Sequence, residues 1–414
     1  MMKFDKYYIS ADLKKNLRQM GFKRPTDIQF KTIPSILNGE DVLAIAQTGT
    51  GKTAAFAIPV IDRIHRFKTS KRSYGIKCIV MVPTRELAMQ IGDVFKTLAN
   101  HTKVKIFTLY GGIEQEQQIA KIQSGIDVLI TTPGRMFDLI NQDIIDVKNV
   151  TTLVLDEADH MLDLGFIEDI KYIKIMLKRA HQTLFFSATI NDEIKKLAYS
   201  QVKSEAIRIQ VSPKDRISKN ISHFVMFVEL DDKRFFLEHF LREHPENKII
   251  VFVRTKVRAE RVVKAMQRVG LESIMSIHSD KDQHERHQAM QAFRSGDCRV
   301  LVATDVSSRG IDIPDVHYVI NYDLPEKEEN YVHRIGRTGR GMNKGEAIAF
   351  CSPDEKELLD NIQAFIQKPI EIIKMNRKGY AEVVKPAKDV AHDLRSLVLD
   401  SDDDKKKKKH KKRK

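Results

Sequence analysis

Each short apolar run in this chain stops abruptly on a cluster of glycine, threonine, arginine or acid, and an amphipathic stretch then follows. In the first half the runs are Asp41 to Ala46, Cys78 to Val82, Val104 to Leu109, Asp127 to Ile130, Thr152 to Leu155 and Thr183 to Phe186. Apolar runs of this length read as strands buried on both faces, and strands alternating with helices imply a parallel sheet covered on both sides. The second half repeats the design with Ile249 to Val253, Ser273 to Ile277, Val300 to Ala303, Tyr318 to Asn321 and Ala347 to Phe350. The expected fold is therefore α/β, with two doubly wound parallel-sheet domains over residues 1–210 and 221–373. Val211 to Asn220 (VSPKDRISKN) is polar, contains a proline and lacks apolar periodicity, as a flexible linker does. After Ile373 the pattern fades, and residues 374–414 read as an extension that ends in a disordered basic tail.

Charge is concentrated at one end. The chain of 414 residues has a net charge of +14, but nine of its cations lie in the last ten residues, so residues 1–404 carry only +5. Such a tail suits a polyanion, whose neutralised phosphates release counterions, and serves equally as a solubilising end. Cys78, Cys298 and Cys351 lack the paired spacing of a zinc site or a disulfide framework, so they read as buried thiols in a reducing compartment. The first ten residues have no apolar signal core, and no run approaches the ~20 apolar residues of a membrane span. These features place the protein in solution in the cytoplasm.

The polar clusters sit where strands end, and open α/β sheets bind ligands along that carboxyl rim. Ala46, Gln47, Thr48, Gly49, Thr50, Gly51, Lys52 and Thr53 form a loop between a strand and a helical stretch. Its glycines let backbone N–H groups surround phosphates at a helix N-terminus. Lys52 is expected to reach the β and γ phosphates and Thr53 to ligate Mg²⁺. The strict pattern has glycine where this chain has Ala46, and an ordinary Gly-rich turn is the alternative. Asp156 and Glu157 end a later strand, where a nucleotide-hydrolysing loop of this kind needs one acid for the metal and one for the attacking water. Asp156 is assigned to Mg²⁺ and Glu157 to the water; a helix-capping pair is the alternative. The second half has no phosphate loop of its own, yet it carries His333-Arg-Ile-Gly-Arg-Thr-Gly-Arg340. Arg337 and Arg340 either form a solvated basic turn with Arg334 or cross an interdomain cleft to stabilise charge on the γ-phosphoryl group.

Taken together, from about Phe4 to Ile373, these motifs resemble the DEAD-box RNA helicases, which implies tandem RecA-like domains that use ATP and Mg²⁺. Gly21 to Gln29 (GFKRPTDIQ), with Phe4 upstream, resembles the family's adenine-reading motif. The resemblance implies that Arg24, Thr26 and Gln29 bind nucleotide, Gln29 through the adenine edge, with Phe4 as a stacking candidate. Without the family, Phe4 and Phe22 would read as core residues and Gln29 as a surface amide. Pro83, Thr84 and Arg85, the pair Gly111 and Gly112, and Thr132, Pro133, Gly134 and Arg135 resemble RNA-backbone motifs of the first domain. Arg254, Thr255, Arg286 in the Gln283 to Arg286 segment, Thr304 and Asp305 resemble those of the second. Ser187 and Thr189 resemble the motif coupling hydrolysis to unwinding, with which Asp159 and His333 are grouped, and Asp312 resembles a nucleotide contact near the ribose. Ser279 and Ser308 depart from the family pattern, standing where glycine and alanine are usual. The compact core and short basic end look most like bacterial proteins of the RhlE type, which implies ribosome assembly or RNA turnover.

The expected mechanism is a monomer in which ATP and RNA each favour closure of two loosely tethered domains. Closure bends one RNA strand and excludes its partner, and hydrolysis reopens the clamp. Contacts to the backbone rather than to bases imply little sequence preference. An ATP-gated RNA clamp and a DNA translocase are the rival readings; strand displacement on a short duplex separates the first, and stimulation by RNA against DNA the second.

Overall fold

A computed structural model describes residues 3–384 apart from 48, 71, 74, 113, 212–216, 219, 306–315 and 340–342. Two seven-stranded sheets follow one another along the chain. The first contains β1 (Val42–Ala46), β2 (Cys78–Met81), β3 (Ile106–Leu109), β4 (Val128–Thr131), β5 (Thr152–Leu155), β6 (Gln182–Ser187) and β7 (Ile207–Val211). The second contains β8 (Ile221–Phe227), β9 (Ile249–Phe252), β10 (Ile274–Ile277), β11 (Val300–Ala303), β12 (Tyr318–Asn321), β13 (Gly345–Cys351) and β14 (Glu371–Ile372). The strand pairings are parallel in both sheets, as in β1 with β6 and β12 with β13.

Alternation along each strand divides the core into two layers. In β1, Val42, Ala44 and Ala46 face one layer, while Leu43 and Ile45 face the other. Helices cover both faces, which is the doubly wound arrangement that the uninterrupted apolar runs require. Edge strands look different. In β7, Ile209 is buried while Arg208 and Gln210 are exposed, so the strand reads as a weak alternation and is easily lost beside a polar linker. Val211, placed in the linker from sequence, is the last residue of β7.

The two sheets share one topology. Their orders are β3-β4-β2-β5-β6-β1-β7 and β10-β11-β9-β12-β13-β8-β14, so β1 corresponds to β8, β2 to β9 and β5 to β12. This order puts the carboxyl ends of β1, β6 and β5 side by side, with Ile45 in register with Ser187 and Leu155 with Phe185. Motifs more than a hundred residues apart thereby meet.

The second unit reaches further than the fading pattern suggests. Residues 377–384 are helical, and Tyr380 packs its ring 4.9 Å from Phe236. Its hydroxyl donates to Asp232 Oδ2 at 3.0 Å and accepts from Glu229 N–H at 3.1 Å, and Val384 is buried beside it. One aromatic and two valines at helical spacing give too faint a period to be recognised against the polar surroundings. The three cysteines are buried as expected, and burial raises their thiols, Cys298 and Cys351 to about 11, which keeps them unreactive. No described helix is long and apolar enough to cross a membrane.

Candidate functional site

The loop after β1 is built around two left-handed glycines, Gly49 (φ +81°) and Gly51 (φ +92°). Gly51 caps the helix Lys52–Phe67, and Thr50 Oγ1 donates to the Gln47 carbonyl at 2.7 Å, closing the loop on itself. A side chain at Gly51 would be strained, and its Cβ would lie 2.5 Å from Gln29 Nε2. Gln29 is itself buried. Its amide oxygen accepts from Thr26 N–H at 3.0 Å and its nitrogen donates to the Gly51 carbonyl at 3.1 Å. One N–H and one lone pair remain on that amide, enough for an adenine edge.

Lys52 is only 6 % exposed, and its Nζ has no hydrogen-bond partner among the described residues. A buried ammonium without a partner is costly unless an anion completes it. Together with the glycine loop and the helix N-terminus, this orphaned donor fits a nucleotide phosphate.

Opposite Lys52 stand Asp156 and Glu157, both buried. Burial raises the Asp156 carboxyl to about 6 against the opposing Lys52 charge, with Glu157 adding to the rise. Burial would also raise Glu157, but the His160 imidazole and the charges of Lys52 and Arg337 bring it down to about 2. Glu157 is held in the left-handed region at φ +51°, which turns its side chain away from the strand direction, and His160 Nδ1 lies 3.5 Å from its carboxylate. The site thus holds one carboxylate that a cation would have to keep ionised and one that stays ionised by itself. Thr53 opens the helix beside Lys52 and Asp156 ends β5, so a hydroxyl and a carboxylate are available to Mg²⁺ with phosphate oxygens, the mixed set that ion favours.

Asp159, Ser187 and Thr189 are joined directly. Asp159 Oδ2 accepts from Ala188 N–H at 3.2 Å and from Thr189 N–H and Oγ1–H at 3.0 Å, and Ser187 Oγ donates to the Thr189 carbonyl at 2.8 Å. The helix that follows β5 is thereby tied to the end of β6 by hydrogen bonds.

At the position in the second sheet corresponding to the phosphate loop, the chain reads Val228-Glu-Leu-Asp-Asp232, which is acidic and has no glycine. The first residue of the following helix is again a buried lysine, Lys233, but its Nζ is paired with Glu355 Oε2 at 2.5 Å and donates to the Tyr322 carbonyl at 2.7 Å. Lys233 is held by a hydrogen-bonded ion pair, which Lys52 lacks among the described residues. Removing one partner of such a buried pair typically costs about 3–5 kcal/mol, so this second lysine belongs to the fold.

Arg337 follows the helix Glu328–Ile335 and is 4 % exposed, with Nε donating to the His333 carbonyl at 3.1 Å. Its charge acts on Glu157 in the first domain, so the arginine borders the same cleft. Arg334 serves a different purpose. It is buried in its own domain, where it binds both Asp305 oxygens and donates to Asn321 Oδ1 at 3.1 Å and the Asp323 carbonyl at 2.7 Å. Thr48, Asp312 and Arg340 lie outside the described residues.

The expected RNA residues lie along the carboxyl rims. Thr84 and Thr255 cap corresponding helices, Arg85–Leu98 and Lys256–Arg268, accepting from Leu87 N–H at 3.3 Å and Arg258 N–H at 3.2 Å. Gly111 and Gly112 seat the Arg85 guanidinium, which donates to Gln283 Oε1 of the second domain at 3.1 Å. Thr132 precedes the helix Pro133–Asn141, with Pro133 and Gly134 in its first turn, and Arg135 donates to Gln115 Oε1 at 2.9 Å. Arg254 is half-exposed and pairs with Glu355 at 3.1 Å, and Thr304 is buried just after β11.

Two expected RNA residues also make protein contacts. Arg286 gives its guanidinium to Glu86 of the first domain at 2.8 Å, so it also joins the domains. Asp305 binds Arg334 and Asn330, which orients both side chains. Phe4 is buried against Tyr7 and Phe22, with ring centroids 5.9 and 5.8 Å away, and shares with Arg24 the wall of a cavity of about 530 Å³. Glu86 escaped sequence reasoning because an acid inside an RNA-facing motif looks like a helix cap. Asp163, the last residue of the helix Ala158–Asp163, takes Lys327 of the second domain at 2.7 Å.

Family models agree with this geometry: one described as DEAD/DEAH box helicase matches residues 26–197, and one described as Helicase conserved C-terminal domain matches residues 232–342. The chain is similar to the DEAD-box ATP-dependent RNA helicase CshA of Bacillus cereus, 40% identical over 371 residues that cover 90% of this chain and 69% of that one. It is 38% identical to the DEAD-box ATP-dependent RNA helicase RhpA of Helicobacter pylori, over 93% of this chain and 77% of that one. S. cerevisiae Dbp5 bound to RNA and ADP BeF3 superposes with a TM-score of 0.81 at 30% identity, covering 94% of this chain and 100% of that one. An orphaned phosphate-loop lysine, a paired Asp-Glu, a cross-cleft arginine and two matched halves lead to one conclusion: the chain belongs to the DEAD-box ATP-dependent RNA helicases.

Proposed function

We propose that this protein clamps RNA across its two rims when ATP fills the cleft, unwinds short duplexes locally, and hydrolyses ATP to let go. The carrying observation is that the buried, unpartnered Lys52 and the buried Asp156 and Glu157 lie on the carboxyl rim of the first domain, while Arg286 and Lys327 of the second domain reach across to Glu86 and Asp163.

Lys52 and the loop amides hold the phosphates, with Thr53 and Asp156 placed for Mg²⁺, which when bound neutralises phosphate charge. Glu157 orients the attacking water by accepting a hydrogen bond from it, a task suited to a carboxylate that stays ionised. Arg337, with Arg340, stabilises charge developing on the transferred group, so hydrolysis waits for closure. Gln29 selects adenine with its remaining N–H and lone pair, and Phe4 stacks on the base from the wall it shares with Arg24. Asp159, Ser187 and Thr189 carry the change at the phosphates to the rim.

RNA is held by Thr84, Arg85, Gly111, Gly112, Thr132, Gly134, Arg135, Arg254, Thr255 and Thr304. Hydroxyls, guanidinia and backbone amides read phosphate and sugar, so base sequence matters little. We further assign the two sheet units, the first ending with β7 at Val211 and the second running from Ile221 to the packed Val384, as the two working domains of a cytoplasmic monomer that acts in ribosome assembly or RNA turnover, as its RhlE-like features imply. The test is Glu157→Gln, in which Asp156 is kept. RNA and ATP binding should persist while RNA-stimulated turnover falls at least a hundredfold. Near wild-type turnover removes Glu157 from its role, and retention of RNA without strand release by the wild-type protein favours the pure clamp.

A further inference from the structure

The helix Lys256–Arg268 begins at the RNA rim, directly after Arg254 and Thr255, and runs down the outside of the second domain. Its ionic side chains fall into two groups. Those facing the domain are satisfied: Lys256 pairs with Asp280 at 2.6 Å and Arg258 with Asp323 at 2.5 Å. Its single acid, Glu260, is turned to Ser276, His278 and Lys281, at 2.5, 2.9 and 3.3 Å. Arg261, Lys264 and Arg268 are exposed, and none has a hydrogen-bond or ion-pair partner among the described residues.

At about 100° per residue, Val257, Arg261, Lys264 and Arg268 lie within one narrow stripe of the helix. Val257, 60 % exposed, starts the stripe at the rim. A rise of ~1.5 Å per residue spreads the three cations over about 11 Å.

A solvated face is the ordinary fate of such residues, and the first domain supplies the internal control. Its corresponding helix Arg85–Leu98 leaves the same rim from the same threonine cap. Counting from the two caps, Gln90, Asp93 and Thr97 occupy the places of Arg261, Lys264 and Arg268. Asp93 there pairs with Lys96 at 3.4 Å. A fold requirement would apply to both helices, yet only the second-domain helix carries three outward, unneutralised cations.

We propose that this stripe is a second RNA-binding surface, which takes the phosphate backbone of the strand as it leaves the cleft on the second domain's side. The proposal rests on the cleft reading above and extends it. Three phosphate contacts on a single strand contribute about 2 to the salt slope, so they lose about 15- to 20-fold in affinity between 50 and 200 mM salt.

The experiment compares the full chain with Arg261→Gln/Lys264→Gln/Arg268→Gln, using one short RNA that fills only the cleft and longer RNAs extended at the 5′ or the 3′ end. The wild type should gain affinity from one of the extensions, with a steeper salt dependence, and the triple variant should lose that gain. Its ATPase turnover on saturating short RNA and its melting temperature should be unchanged. Equal affinities of variant and wild type for every RNA would overturn the proposal and leave an acidic protein or solvent as the stripe's partner. An equal loss on short and extended RNAs would also overturn it, because the residues would then act in the cleft. Failure of the short RNA to stimulate wild-type hydrolysis strikes the cleft reading alone, since the extension effect is read by binding.

Discussion

Arg286→Ala should weaken domain closure rather than RNA contact. The guanidinium and the Glu86 carboxylate meet at 2.8 Å with only 15 % and 8 % of their side chains exposed. An exposed pair contributes up to about 1 kcal/mol, whereas truncating one partner of a buried pair costs about 3–5 kcal/mol by stranding the other charge. Here the stranded Glu86 can regain water when the domains part, so the cost falls between these limits, about 2–3 kcal/mol, and falls on the closed state only. That corresponds to a closing equilibrium lowered about 30- to 150-fold. Two dyes across the cleft, read during an RNA titration with a non-hydrolysable ATP analogue, measure it directly. The midpoint should move to higher RNA concentration while each domain melts as before. The reversed pair, Glu86→Arg with Arg286→Glu, should recover part of the loss, which no direct RNA contact by Arg286 would allow. An unchanged closing midpoint in Arg286→Ala, or a reversed pair no better than the single variant, would refute the reasoning.

Further outcomes follow from the same geometry. Arg337→Ala should lower single-turnover hydrolysis at saturating RNA by about a thousandfold or more with a smaller change in ATP affinity, and Arg337→Lys should rescue poorly because it loses the planar fork. Full hydrolysis by a folded Arg337→Ala protein would rule out the finger. Burial works to raise Glu260, but Ser276, His278 and Lys281 bring its folded carboxyl down to about 2, below its ordinary 4.5. Its stabilisation is therefore complete above the ordinary value and disappears as pH falls toward 2, so the melting-temperature deficit of Glu260→Gln should shrink steadily between pH 5 and about 2.5; a constant deficit would contradict this. Removing residues 401–414, with their nine cations, should flatten the salt dependence of RNA binding and leave turnover at saturating RNA intact, and an unchanged slope would mean that the tail does not touch RNA.

What could be read from the sequence, and what could not, divides along physical lines. Buried strands were legible because both faces are apolar; β1, β2, β5 and β9 leave no other reading. Edge strands β7 and β14 and the helix at residues 377–384 bury too little to impose a period, so they surfaced only in the fold. Catalytic residues were legible where chemistry demands a type at a spacing, as at Lys52, Asp156 and Glu157. Charge partners were not, because a pair is a property of two distant positions. Arg286 and Asp305 stand in motifs that resemble RNA-binding ones, and nothing along the chain reveals that Glu86 and Arg334 pair with them. The same logic separates the two buried lysines. Lys52 and Lys233 each open the helix after corresponding strands, and sequence alone distinguishes them only by the missing glycines. The structure distinguishes them by what the ammonium finds: Glu355 and a carbonyl in one case, and no partner in the other. A buried donor without a hydrogen-bond acceptor carries a free-energy cost that a bound phosphate would relieve, so the orphaned ammonium of Lys52 points to the nucleotide as strongly as the loop that presents it.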